Sequence, residues 1–344
     1  MQRHAPYPQI EHTDPSDQTR KDFTSDQEVR WCPGCGDYSI LAQVQRILPS
    51  FGIPREKYVF VSGIGCSSRF PYYMQTYGIH SIHGRAPAIA TGIKSVSPEL
   101  SVWVITGDGD GLSIGGNHFL HVMRRNVDIK MLMFNNQIYG LTKGQYSPTS
   151  PLGKKAKSTP MGSVDYPVDP VSIALGSGAT FVARTLDVNV KHLQAVLARA
   201  AAHKGTAFVE IYQNCNIFND GAFVQLTDKD TKSDQTVELE HGKPLRFGKK
   251  LEKGITFDAQ LRPSVVDAAD VDESTLYVHD EGSEISALML SRLKSPDFPR
   301  PIGVFRAVER PSYDGMLEDQ VKQAQKGSRP TVQELLDDGA WTVE

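Results

Sequence analysis

Long apolar runs, abundant cysteine and a marked excess of one charge are all missing from this sequence. No stretch approaches the ~20 consecutive apolar residues that span a bilayer, so no membrane segment is expected. The formal net charge is −3 over 344 residues, which offers no basic footprint for nucleic acid. Residues 1–28 lack the apolar core of a secretion signal, so a cytoplasmic location is the expectation. No internal repeat is visible. There are only four cysteines, Cys32, Cys35, Cys66 and Cys215, and in a reducing cytoplasm they are expected to stay unpaired.

What is present is an ordinary globular composition, 39% apolar and 22% charged, sufficient for a sizeable core. Residues 1–28 read as a polar arm, disordered or draped over a partner. From residue 38 to about 215, short apolar strands alternate with helices. Strands are expected at Tyr58–Val61, Val102–Ile105, Lys130–Phe134, Thr180–Ala183 and Ala207–Ile211. Helices are expected at Tyr38–Leu48 (with Asp37 as N-cap), Ala88–Val96, Asn117–Arg125, Val171–Ser177 and Val190–His203. This rhythm predicts an α/β fold, a doubly wound and mostly parallel sheet over residues 29–220. Beyond 220 the rhythm fades. Residues 221–344 read as an irregular C-terminal extension that contacts a partner or packs on the first domain, with one more strand at Leu276–His279 and one more helix at Glu284–Leu293.

The most informative stretch is Gly107-Asp-Gly109 followed, 25 residues later, by Asn135-Asn136. Each motif closes a strand, and a helix lies between them. A strand–helix–strand crossover puts both motifs at the carboxyl edge of the sheet, where ligands of such folds bind. Asp108 and Asn136 offer the hard oxygens that Mg²⁺ shares with phosphates. Gly107 and Gly109 would let backbone approach a phosphate, and the following helix N-terminus favours an anion. This spacing resembles the thiamine diphosphate signature, in which a carbonyl two residues after the Asn completes the Mg²⁺ site; here that is Ile138.

Cys32-Pro-Gly-Cys35 follows no strand, which argues against a thioredoxin-type redox pair. The four cysteines, spaced Cys-x2-Cys-x30-Cys-x148-Cys, could hold either tetrahedral zinc or a [4Fe–4S] cluster. Cys66 and Cys215 follow strand ends at the same sheet edge as Asp108 and Asn136. An electron-accepting cluster beside a thiamine cofactor fits that placement, and zinc is the alternative to exclude. Lys154-Lys-Ala-Lys157 reads as a solvated loop, with attraction of coenzyme A phosphates or of an acidic ferredoxin as the functional alternative.

Together, Trp31-Cys-Pro-Gly-Cys-Gly36, Gly63-Ile-Gly-Cys-Ser-Ser-Arg69, His83-Gly-Arg85, Thr106-Gly-Asp-Gly-Asp110, Ser113-Ile-Gly-Gly-Asn117 and Phe134-Asn-Asn-Gln-Ile-Tyr-Gly-Leu-Thr-Lys-Gly-Gln145 closely resemble the beta subunits of 2-oxoacid:ferredoxin oxidoreductases. Lys243-Pro-Leu-Arg-Phe-Gly248 is similar to the 2-oxoglutarate branch. The resemblance implies that Cys32, Cys35, Cys66 and Cys215 ligate one [4Fe–4S] cluster, and that Asp108, Asn136 and Ile138 hold Mg²⁺. It implies that Ile64, Gly65, Cys66, Ser67, His83, Gly109, Asp110, Gly140 and Leu141 contact thiamine diphosphate, with His83 and Lys143 as catalytic candidates and Lys143 near the substrate carboxylate. The implied reaction is coenzyme A-dependent oxidative decarboxylation of a 2-oxoacid, 2-oxoglutarate to succinyl-CoA and CO₂, with electrons passing through the cluster to ferredoxin and either direction open. Pyruvate or broad 2-oxoacid specificity, or a non-redox thiamine decarboxylase with structural zinc, are the alternatives. Thiamine enzymes take the activating carboxylate from a second domain, for which this chain has no room. An alpha (or fused gamma–alpha) partner in an (alpha–beta)2 assembly is therefore implied.

Overall fold

The computed structural model of the chain describes residues 14–327 and 330–341. Strands β1 (Tyr58–Ser62), β2 (Tyr77–His80), β3 (Ser101–Gly107), β4 (Ile129–Asn135), β5 (Phe181–Leu186) and β6 (Ala207–Tyr212) alternate with helices α1 (Asp37–Ile47), α2 (Ala86–Val96), α3 (Asp108–Leu112), α4 (Gly116–Arg125), α5 (Pro170–Gly176) and α6 (Val190–Ala202). The C-terminal segment adds β7 (Thr236–Leu239), β8 (Arg246–Phe247), β9 (Lys253–Phe257), β10 (Pro263–Asp267) and β11 (Arg300–Ala307), with helices at Glu284–Ser291 and Tyr313–Ala324. The main sheet has the order β2-β1-β3-β4-β6-β5-β11-β7. Its first six strands are mutually parallel. Strand β11 runs antiparallel to β5 and β7 runs parallel to β11.

The apolar runs of the central strands are continuous because both of their faces are buried. Val59, Val61, Val102, Val104, Ile129, Met131 and Met133 face a core shared with α2, α4, α5 and Glu284–Ser291. Tyr58, Phe60, Trp103, Ile105, Leu132 and Phe134 face a second core shared with α1 and α6. The crossovers place helices on both faces, so every strand-to-helix turn of the parallel set emerges at one edge. Among the described residues no helix is long and apolar enough to cross a membrane.

Four expectations need correction. Residues 1–13 of the polar arm lie outside the described residues, but residues 14–28 are not draped free of the domain. Phe23 is fully buried and meets Tyr58 edge-on at 5.7 Å, and Ser25 Oγ donates to the Tyr72 carbonyl at 2.7 Å. The segment after 220 does not stand apart from the sheet, since β7 and β11 extend it. Strand β11 is hard to read in a sequence because it carries Pro301, Gly303 at φ +112° and a register shift between Val304 and Arg306, all of which break an apolar run. Leu276–His279 is not a strand; Val278 makes only an isolated bridge to Pro244. Asp37 opens α1 rather than capping it, and Gly36 occupies the N-cap.

Phe23→Ala should cost about 3–5 kcal/mol, read as a lower urea midpoint at an unchanged slope. A loss below ~1 kcal/mol would show that the arm merely rests on the surface.

Candidate functional site

A cavity of about 340 Å³ opens at the carboxyl edge, where β1, β3 and β4 end. Ile64, Gly65, Cys66, Ser67, His83, Asp108, Gly109, Asp110, Asn136, Ile138, Gly140 and Leu141 all line it. Lys143 does not; it is exposed in the next turn, in a left-handed conformation at φ +74°.

Asp110 gathers the loops that form the wall. Its Oδ1 accepts from the backbone N–H of Ile64 at 3.0 Å and of Gly84 at 2.7 Å, and lies 2.8 Å from Nδ1 of His83. Its Oδ2 accepts from Thr106 Oγ1 at 2.7 Å. The carboxylate is thus engaged by four donors before any ligand arrives. The fit is close: a Cβ on Gly63 would lie 2.1 Å from Asp110 Oδ2. Gly84 takes φ +70° at the turn that delivers His83.

Asp108 is buried, and burial pushes its carboxyl above the ordinary carboxylate range. Ser147 Oγ and Thr149 Oγ1 pull the other way, from 2.5 and 2.6 Å of its Oδ2. Among the described residues no basic side chain forms an ion pair with it. A buried carboxylate without a cation suits a divalent ion, which would offset the desolvation. Opposite it, Asn136 donates Nδ2 to Gln213 Oε1 at 2.9 Å and accepts at Oδ1 from the N–H of Ile138 at 3.2 Å. Gln137 between them takes φ +57°, so this segment holds a conformation that non-glycine residues seldom adopt. The Asn136 carbonyl is held by Asn219 Nδ2 at 2.8 Å.

The reason for Gly109 differs from the one expected. A Cβ there would fall 2.3 Å from the Tyr139 ring, and Tyr139 donates its hydroxyl to the Gly109 carbonyl at 3.0 Å. It is Tyr139, another wall residue, that demands the glycine. Tyr139 lies within the Phe134–Gln145 motif without an assigned role, and Ser147 and Thr149 carry no motif. The nearest signal is Ser147-Pro-Thr-Ser150, a hydroxyl-rich run that is buried inside a loop otherwise rich in Lys, Gly and Pro. Lys155 and Lys157 in that loop are exposed, as expected of a solvated run, whereas Lys154 is half-buried. Its ammonium donates to Asn219 Oδ1.

The cysteines converge behind the same wall. A Cβ on Gly140 would stand 3.5 Å from Cys66 Sγ and 3.6 Å from Cys215 Sγ. Trp31 fixes the Cys32–Cys35 loop by donating Nε1 to the Cys66 carbonyl at 2.6 Å. The N–H of Gly36 donates to the Asn214 carbonyl at 3.2 Å, and Gln213 Nε2 donates to Cys35 Sγ at 3.3 Å. Burial, then Asp37, then Cys215 and Cys32 push the Cys66 thiol up to about 12. Burial, Asp37, Cys215 and Cys66 likewise raise Cys35. Cys66 thus lies within electrostatic range of the other three sulfurs. Yet among the described residues no group of three or more His, Cys, Asp or Glu side chains is gathered tightly enough to hold a single metal ion. Cys32 is exposed and the other three cysteines are half-buried, and four thiolates drawn together at this edge would suit a [4Fe–4S] cluster or tetrahedral zinc.

The family described as "Thiamine pyrophosphate enzyme, C-terminal TPP binding domain" matches residues 63–211. The chain is 52% identical over 334 residues to 2-oxoglutarate oxidoreductase subunit KorB of Mycobacterium tuberculosis, covering 95% of this chain and 89% of that one. It is 40% identical to a 2-oxoacid:ferredoxin oxidoreductase subunit beta of Sulfolobus sp, over 68% of this chain and 83% of that one. The chain belongs to the 2-oxoacid:ferredoxin oxidoreductase beta subunits. The solved 2-oxoglutarate:ferredoxin oxidoreductase from Magnetococcus marinus, with 2-oxoglutarate, coenzyme A and succinyl-CoA bound, superposes with a TM-score of 0.75 at 32% identity, over 95% of this chain and 97% of that one. In this beta subunit the thiamine-domain match contains the cavity, but of the cysteines only Cys66.

Gly109→Ala should cost about 1–3 kcal/mol through overlap with Tyr139. The double change with Tyr139→Ala should recover part of that loss. Strict additivity of the two unfolding free energies would show that they do not interact.

Proposed function

We propose that this chain, with an alpha subunit, decarboxylates 2-oxoglutarate oxidatively to succinyl-CoA and CO₂ and passes the electrons to ferredoxin. One observation carries the reading: Gly140 lines the cavity that holds Asp108 and Asn136 and, on its other side, meets the sulfurs of Cys66 and Cys215. Cofactor cavity and cysteine cluster share a wall one residue thick. The relatives named for 2-oxoglutarate, including subunits from Archaeoglobus fulgidus and Methanocaldococcus jannaschii, favour that substrate over pyruvate.

When bound, thiamine diphosphate supplies the carbanion chemistry that releases CO₂, and a [4Fe–4S] cluster supplies a one-electron acceptor. This chain's own residues supply the placement. Asp108, Asn136 and the Ile138 carbonyl hold Mg²⁺ on the diphosphate. Ile64 to Ser67, His83, Gly109, Gly140 and Leu141 surround the cofactor, and Asp110 fixes the backbone that carries them. His83 is held through Nδ1, which leaves Nε2 for the cofactor. Lys143, on the turn beyond the cavity, would meet the substrate carboxylate. Cys32, Cys35, Cys66 and Cys215 ligate the cluster.

The segment after residue 220 supports the need for a partner. It lends β7 and β11 to the existing sheet instead of folding as a second thiamine domain, so the activating carboxylate comes from the alpha subunit, in an (alpha–beta)2 assembly. Coenzyme A is the acyl acceptor.

Asp108→Ala should weaken thiamine diphosphate binding at least ~100-fold while leaving iron and sulfide content unchanged, as calorimetry and metal analysis would read. Co-purified with its alpha subunit, the protein should reduce ferredoxin with 2-oxoglutarate and coenzyme A at least ~10-fold faster than with pyruvate. Full turnover by this chain alone would exclude the partner requirement.

A further inference from the structure

Gln213 is the first residue after β6, two positions before Cys215, and is 1% exposed. Every polar atom of its side chain is used. Oε1 accepts from Asn136 Nδ2 at 2.9 Å. Nε2 donates to the Asn214 carbonyl at 2.6 Å and to Cys35 Sγ at 3.3 Å. Its backbone N–H donates to the Asn135 carbonyl at 3.0 Å.

These contacts have a polarity. The Asn214 carbonyl can only accept, so it fixes Nε2 on its side of the Gln213 amide and Oε1 on the other. That orientation in turn requires Asn136 to present Nδ2 to Gln213. Oδ1, the only atom of the Asn136 side chain that can bind a cation, accepts one bond from the N–H of Ile138 at 3.2 Å and keeps its second lone pair for the metal. At its other end the same amide gives an N–H to a cysteine sulfur. Such a bond stabilises the more negative, reduced cluster and raises its potential.

We infer that Gln213 is a positioning residue serving both cofactors at once, turning the Asn136 oxygen toward Mg²⁺ and tuning the cluster through Cys35. Two hydrogen bonds through one amide then join the metal ligand to the cluster ligand. A Cβ on Gly36 would lie 1.9 Å from Asp187 Oδ2 and 2.9 Å from Gln213 Cγ, so the glycine makes room for both side chains. The inference rests on the cofactor assignment proposed above.

The test uses the assembled alpha–beta complex, with iron and sulfide measured first. Two quantities are read without turnover: the cluster midpoint in an EPR-monitored redox titration, and the Mg²⁺ concentration that half-saturates thiamine diphosphate binding. Gln213→Leu should shift the midpoint negative by the equivalent of about tenfold in the reduction equilibrium, ~59 mV for one electron. It should also raise the Mg²⁺ requirement about 10–100-fold. Gln213→Glu keeps an acceptor for Asn136 but loses the N–H to sulfur, so it should restore the Mg²⁺ dependence and leave the midpoint low. An unchanged midpoint and Mg²⁺ dependence in Gln213→Leu would overturn the inference, as would a wild-type midpoint in Gln213→Glu. If Gln213→Leu assembles without its cluster, Gln213→Glu alone decides by the same criterion. A wild-type complex with no iron or sulfide would instead overturn the cofactor assignment.

Discussion

A carboxylate taken out of water has to be surrounded by donors or it will not stay charged, and Asp110 meets that demand in a way that builds the site. Its donors come from β3, from the loop after β1 and from the turn before α2. Hydrogen bonds to a charged acceptor contribute about 1.5–3 kcal/mol each, so the carboxylate binds three separate pieces of chain at one point. Removing any piece leaves buried groups unpaired. A Cβ on Gly63 would press on the carboxylate itself, and one on Gly84 would fall 2.5 Å from the backbone nitrogen of Gly115. Asp108, two residues earlier on the same turn, lacks such a set. It has two hydroxyls and a desolvation left uncompensated. One turn thus carries a carboxylate satisfied by protein and a carboxylate that awaits a cation.

The second constraint is the segment leaving β4. Asn135 to Leu141 passes between the cavity and the cysteine sulfurs. It does so with Gln137 in a left-handed conformation and with Gly140 where a Cβ would touch the sulfurs of Cys66 and Cys215. Backbone strain of this kind persists only where the surroundings over-determine it. Here the surroundings are Asn219 on the Asn136 carbonyl, Lys154 behind Asn219, Tyr139 locked to Gly109, and Gln213 on the Asn136 amide. The loop is rigid because its hydrogen bonds are complete.

Much of this was legible in the sequence, for a physical reason. Strands β1, β3, β4, β5 and β6 are buried on both faces, so their apolar runs are continuous and bounded. Turn motifs at their ends therefore map to one sheet edge with no tertiary information. The elements that escaped lack that signal. Strand β2, Tyr77–His80, is an exposed edge strand, and β11 is broken by Pro301 and Gly303. The supporting side chains escaped for a different reason. Ser147 and Thr149 reach Asp108 from 39 and 41 residues away, and Gln213 reaches Cys35 from 178 residues away. A hydrogen bond between distant segments leaves no period and no spacing rule. The ligand motifs could be read, but not the residues that aim them.

The relation between the two cofactor sites follows from how each is carried. The thiamine-domain match runs from residue 63 to 211 and contains the whole diphosphate cavity, a product of the parallel sheet and its crossovers. Three of the four cysteines fall outside it. The Cys32–Cys35 loop arrives ahead of α1, pinned to the Cys66 carbonyl by Trp31, and Cys215 lies just past the end of β6. The cysteine site is thus assembled from pieces at the margins of a fold that already had its diphosphate site. What brings the two together is the sheet edge, because Cys66 and Cys215 follow β1 and β6, the strands that flank β3 and β4 in the sheet order. Cys66 lines the cavity directly and Gly140 beside it stands next to the sulfurs of Cys66 and Cys215, so no packed core separates the cavity from the cysteines.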